Sequence, residues 1–195
     1  ARHKTLVVVA VRGSYGSEWL SDFNIAGNAP SGYEDDHVGF AAATAVVMND
    51  LKAFLAQHAG ADEDARNICV LVCGHSRGAA VSNLLAAKLD DGELHKEVGV
   101  ASGDVFAYTL ASPGVTLADD AHDARYDNIF NLLVPSDVVP ELPLASWGYT
   151  RYGKSGSFPR QGDAGFDEAD ADMRTFYRAS FGLESPSDPR DAQVV

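Results

Sequence analysis

Basic side chains are scarce in this chain: 15 Lys and Arg stand against 28 Asp and Glu, for a formal charge of −13 over 195 residues. Such a surface repels phosphate backbones, so nucleic acid is not an expected partner. The same charge disfavours docking on anionic membranes, and its plain role is solubility. Cysteine is almost absent, with only Cys69 and Cys73. On a strand of ~3.3 Å per residue their α-carbons lie ~13 Å apart, beyond the reach of a disulfide. They read as small core residues with no cluster of metal ligands around them, and they lean toward a reducing, cytoplasmic compartment. No consecutive apolar run approaches the ~18 residues of a membrane span, so no transmembrane segment is expected. One of the longest, Leu6 to Val11, is strand-sized. A signal peptide and an initiator Met are also missing, so the chain reads as an excerpt or a processed product.

What is present is a globular composition, 46% apolar and 22% charged, long enough for one core. Thr5 to Val11 is a β-branched run of the kind buried on both faces of a sheet. Ser17 would cap a short helix carrying Trp19, Leu20 and Phe23, and a loop follows to Asp36. From His37 to about His58 the pattern is helical, with Phe40, Val47, Leu51, Phe54 and Leu55 on one stripe and Gly60 as the stop. Ile68 to Cys73 reads as a second buried strand, followed by an Ala- and Leu-rich helix through Leu89. Val105 to Leu110 and Asn128 to Val134 read as further strands, Trp147 to Tyr152 as an edge strand, and Asp167 to Phe181 as a helix. The last thirteen residues, 183–195, form a turn-rich, frayed tail. Strands alternating with helices predict an α/β fold: one domain over 1–195, with a mostly parallel central sheet and helices on both faces.

Gly74-His75-Ser76-Arg77-Gly78 lies between the second strand and its helix. A Gly-x-Ser-x-Gly pentapeptide recurs by chance, but this context is that of a nucleophile elbow. There a sharp strand-to-helix turn presents the serine hydroxyl in a strained conformation. The glycines are expected where a β-carbon would strike the neighbouring strand and helix. The helix N-terminus behind the serine favours developing negative charge. A Gly-Ser turn without reactivity would leave both glycines and both flanks unexplained.

Separated segments, in order, carry a family likeness. They are Val9-Ala-Val-Arg-Gly-Ser14 with Trp19 and Asp22; His37-Val-Gly-Phe40; the pentapeptide; Tyr108-Thr-Leu-Ala-Ser-Pro113; and Asn131 through Asp137-Val-Val-Pro-Glu-Leu-Pro143. With these the chain resembles the class 3 (fungal-type) lipases, and more closely their bacterial relatives with an Arg after the serine. The likeness spans roughly residues 5 to 153 and implies an α/β-hydrolase core. It implies Ser76 as nucleophile and Asp137 as the carboxylate that orients an imidazole. It implies the Arg77 amide and Ser14 as oxyanion donors, and Trp19, Leu20 and Phe23 as a candidate lid over the site or toward lipid. The plainer accounts are turn formation for Ser14 and Asp137 and core packing for the apolar trio.

The missing partner is histidine. A serine hydroxyl needs a base, and in this fold the chain order is Ser, Asp, His. All six histidines, at 3, 37, 58, 75, 95 and 122, precede Asp137. His37 belongs to a motif that is structural in relatives, and His75 belongs to a position that points away from the serine. His122 would have to be recruited out of order. The resemblance places the family's base about 50 residues past the Asp, at or beyond the end of this chain, so truncation is the leading account and a degenerate triad the second. Arg151 stands where some relatives carry a different, non-catalytic histidine.

Two functions follow. One is an esterase or lipase: Ser76 attacks the carbonyl of an ester or lipid substrate, and water releases the acyl-enzyme with no metal or organic cofactor. The other is a pseudo-hydrolase that binds acyl chains or a protein partner without turnover. Triacylglycerol, monoacylglycerol, phospholipid and small aryl esters all fit the first.

Overall fold

The computed structural model describes residues 4–14, 30–58, 68–92, 100–134, 137–143 and 145–182. The segment with Trp19, Leu20 and Phe23, the stop at Gly60, His3, His95 and the 183–195 tail lie outside them. The chain divides into two compact units, Ala1–Ser157 and Phe158–Val195.

The described residues of the first unit form five strands: β1 (Thr5–Val11), β2 (Ile68–His75), β3 (Val105–Leu110), β4 (Ile129–Leu133) and β5 (Lys154–Ser157). They stand side by side in chain order, and every neighbouring pair is parallel. Helix α1 (Val38–His58) connects β1 to β2, and α2 (Arg77–Asp90) connects β2 to β3. Alternate strand residues Val70, Val72, Val105, Ala107 and Ile129 form one core with Phe40, Met48, Leu51 and Leu55 of α1 and Leu84, Leu85 and Leu89 of α2. Helix α2 is buried on nearly every side, which explains its uniform Ala/Leu composition. The second unit contains α3 (Phe166–Phe181), whose Arg174 reaches back one turn to Asp170 at 2.7 Å.

Three expectations need correction. Strand β1 is not buried on both faces. Among the described residues it has one neighbour, β2, and its outward Leu6 and Val8 are 57% and 54% exposed, on the face where Phe106, Tyr108 and Leu110 are also exposed. The stripe of α1 runs through Phe40, Thr44, Met48, Leu51 and Leu55, whereas Phe54 turns outward and stacks on His58 at 4.2 Å. A 3.6-residue period allows either set, and packing against α2 selects the one. Trp147 to Tyr152 is not the edge strand: Trp147 ends a 3-10 turn, and the edge is the wholly exposed Lys154–Ser157. Its register comes from main-chain pairing with β4, aided by Asn131 Nδ2 donating to the Lys154 carbonyl at 3.2 Å.

By length and composition α1 is apolar enough to cross a membrane, although no consecutive run in it suggests a span. Its buried stripe lies against the core. A buried amide network fixes the far side of the sheet. Asn83 of α2 donates to Asn131 Oδ1 (2.8 Å) and to the Tyr152 carbonyl (2.9 Å) and accepts from the Tyr152 amide (3.0 Å). Thr109 completes it with a 2.7 Å bond to Asn131 Oδ1. Buried polar groups satisfied this fully specify a single arrangement of α2, β3, β4 and the approach to β5.

Candidate active site

Strand β2 ends at His75, and the chain reverses at Ser76 with φ 57° and ψ −127° before α2 begins at Arg77. A positive φ at a residue with a β-carbon costs roughly 1–3 kcal/mol and persists only where the surroundings impose it. Here they do. The Ser76 amide donates to the Leu110 carbonyl at 2.9 Å, and the Ser76 carbonyl accepts from Ala79 (2.9 Å) and Ala80 (3.2 Å). The Ser76 side chain caps nothing, although it occupies the N-cap of α2, so its hydroxyl is not engaged by the helix. The flanking glycines are sterically required. A β-carbon on Gly74 would lie 2.3 Å from the Gly78 carbonyl oxygen and 2.7 Å from Ser82 Oγ, and one on Gly78 would lie 2.2 Å from the Val11 carbonyl oxygen. Strand, turn and helix therefore meet at the closest approach that a backbone allows.

The loop that leaves β1 closes over this turn. A β-carbon on Gly13 would sit 3.6 Å from the Ser76 β-carbon and 3.2 Å from the His75 carbonyl oxygen. Arg12-Gly13-Ser14 and the N-terminus of α2 thus share one corner with Ser76. That brings Ser14 and the Arg77 amide, each expected to donate to an oxyanion, into the same neighbourhood.

Asp137 follows β4, and its partly buried side chain accepts a 2.9 Å bond from the Val139 amide through Oδ1. Ser76 and Asp137 lie past the carboxyl ends of β2 and β4, with β3 between them. At ~4.8 Å per strand the two loops are separated by about 10 Å of sheet, room for one imidazole. The other carboxylates that could have served instead, Asp104 and Asp127, precede β3 and β4 at the opposite edge, where they pair with Lys4 and, at 2.9 Å, with Lys154.

Four histidines fall among the described residues. His37 is fully buried, stacked on Phe40 at 4.3 Å and tilted against Tyr149. His58 bonds the Phe54 carbonyl at the end of α1. His122 is held by the Gly153 carbonyl and Thr150 Oγ1, both at 3.1 Å, beside the start of β5 and away from the serine. His75 is exposed next to Ser76 in the chain. His122 is therefore committed to a structural bridge rather than recruited to the nucleophile. An apolar groove of about 740 Å³ runs along β1 and α1, lined by Leu6, Val8, Val47 and Phe54 among others, but its lining does not include the turn at Ser76.

A side chain that the sequence reading left without a role also enters this region. Arg151 donates through Nε to the Ser112 carbonyl at 2.6 Å and through Nη2 to the Pro140 carbonyl. Its position in the family pattern was the only signal, since main-chain acceptors leave no trace in a sequence.

A family model described as lipase (class 3) matches residues 8–147. The chain belongs to the class 3 lipase family. It is 35% identical over 155 residues to the secreted mono- and diacylglycerol lipase A of Penicillium cyclopium, and equally to that of Penicillium camembertii, over 73% of this chain and 45% of each relative. This class 3 lipase chain thus spans less than half the length of those curated relatives. Among solved structures, a mutant of the Penicillium cyclopium protein superposes with a TM-score of 0.58 at 29% identity, covering 80% of this chain and 55% of the other. The Rhizomucor miehei lipase–propeptide complex gives 0.58 at 27%, covering 80% and 50%. A triacylglycerol lipase whose catalytic centre is described as a serine protease triad gives 0.59 at 25%, covering 80% and 58%. The parallel sheet and its helices are the α/β-hydrolase core of these class 3 lipases.

Proposed function

We propose that this class 3 lipase chain carries the nucleophile, the acid and the oxyanion donors of an esterase that acts on lipid esters through an acyl-enzyme on Ser76. The observation that carries the reading is the strained Ser76, at φ 57°, with Gly13 of the Ser14 loop packed over it. Ser76 Oγ forms a bond to the acyl carbon, and the ester C–O bond breaks. The proton passes through a histidine base to the departing alcohol, and water then releases the acid. The Arg77 amide and Ser14 stabilise the tetrahedral oxyanion. Asp137 has Oδ1 occupied by the Val139 amide and offers Oδ2 to the imidazole. No cofactor takes part. All six histidines of this chain precede Asp137, so the base is the member of the triad that the test must locate.

The test compares this chain, the longer polypeptide with a histidine downstream of Asp137, and Ser76→Ala in both, on a short-chain nitrophenyl ester. Without the histidine, only ~10³–10⁴-fold acceleration over water remains. The longer protein should turn over and lose that activity in Ser76→Ala. The second reading, binding without turnover, draws on one observation: among the described histidines only His75 adjoins Ser76, and it is exposed. Inactivity of every version with fatty-acid binding retained would select it. Full activity of this chain, lost in Ser76→Ala, would instead demand a base among the upstream histidines.

A further inference from the structure

The geometry points to Arg151 as the positioning residue for the Asp137 carboxylate, an inference that rests on the esterase reading above. Its two acceptors belong to two different loops at the carboxyl edge of the sheet. Ser112 leaves the end of β3, and Pro140 lies in the 3-10 turn Val139–Glu141 directly after Asp137. The same two loops are joined a second time where the Gly114 amide donates to the Leu142 carbonyl at 2.7 Å. Arg151 therefore clamps the turn at its middle while Gly114 holds its far end.

The clamp reaches the carboxylate through one hydrogen bond. Asp137 Oδ1 accepts from the Val139 amide, and Val139 is the first residue of the clamped turn. A turn free to slide or rotate would carry that amide, and with it the direction in which Oδ2 points. A guanidinium suits the task because its planar fork presents fixed donors in two directions and its charge strengthens both bonds. Burial lowers the Arg151 pKa from its ordinary value, and the neighbouring Glu141 opposes that shift. A partly buried cation held mainly by carbonyls costs more to keep than a fully solvated one. Lysine, a point charge, cannot bridge the two carbonyls in the same geometry.

Two readouts separate positioning from mere stability. The first needs no turnover: the Val139 amide proton shift, followed by NMR across pH in this chain, reports Asp137 ionisation through its bond to Oδ1. In Arg151→Met the pH-dependent excursion of that signal should be lost, and in Arg151→Lys it should be reduced with the fold intact. The second uses the longer, histidine-bearing protein. There Arg151→Met should lower kcat by about 10- to 100-fold, the scale of a small misplacement of a reacting group, with KM unchanged. A Val139 excursion identical to wild type in Arg151→Met overturns the proposal. If Arg151→Met does not fold, an unaltered excursion in Arg151→Lys overturns it. Should the wild-type longer protein show no esterase activity at all, the functional reading fails while the Val139 titration still decides the role of Arg151.

Discussion

Gly78 stands against Val11 so closely that a β-carbon on it would lie 2.2 Å from the Val11 carbonyl oxygen, with the Arg12 carbonyl oxygen at 2.4 Å. Both obstacles are main chain, so neither can swing aside as a flexible side chain would. The contact joins the first turn of α2 to the end of β1 and so holds the Ser14 loop beside Ser76. Gly78→Ala must therefore push strand and helix apart. Overpacking of this kind costs about 1–3 kcal/mol, and a rigid backbone obstacle puts the variant at the upper end. Urea unfolding should show that loss, together with a large drop in reactivity of Ser76 toward a fluorophosphonate probe in the histidine-bearing protein. A variant with wild-type midpoint and labelling rate would contradict the packing argument.

Ser76 itself should trade stability for function. Its φ of 57° is imposed by the turn, and glycine adopts such a conformation without a steric penalty. Ser76→Gly should therefore unfold at higher denaturant concentration than Ser76→Ala, by roughly 1–3 kcal/mol, the cost of backbone strain at such a position. Both variants lack the hydroxyl, so both should be inactive in any version of the protein. Comparing them with each other cancels the loss of the side-chain oxygen. Equal midpoints for the two would show that the turn is not strained.

How much of this was legible beforehand depended on where the information resided. Strands β1 to β4 and helices α1 and α2 announce themselves because each carries a run or stripe of apolar residues, and Val105 to Leu110 is bounded as expected. Strand β5 gives no such sign: Lys154-Ser-Gly-Ser157 is exposed along its whole length and is defined by main-chain pairing. The elbow was readable because steric necessity at Gly74 and Gly78 is written into residue identity. The closure of Gly13 over Ser76 and the clamp of Arg151 on two carbonyls join residues far apart in the chain through backbone atoms, and residue identity does not encode those. The openness of the β1 face at Leu6 and Val8 was likewise hidden, since a β-branched run reads the same whether or not anything covers it.

Asp90, the last residue of α2, supplies a test through pH. Burial raises its pKa from 3.8 to about 7, against a lowering contribution from the Asn128 hydrogen bonds and with a further raise from neighbouring Asp91. The Asn128 amide lies 3.0 Å from each Asp90 oxygen. The negative end of the α2 dipole acts in the same sense as burial. Because the folded pKa exceeds the unfolded one, the native state binds the proton more tightly than the unfolded chain does. The stabilisation is therefore complete below about pH 4, the ordinary carboxylate range, and is lost as pH rises through about 7. Asp90→Asn cannot ionise and should lack that slope. Denaturant midpoints measured from pH 4 to 8 should show the wild type losing stability relative to Asp90→Asn steadily as pH increases, with the decline levelling off above about 7. Parallel profiles would mean that Asp90 titrates alike in both states and that the burial seen at the end of α2 does not penalise its charge.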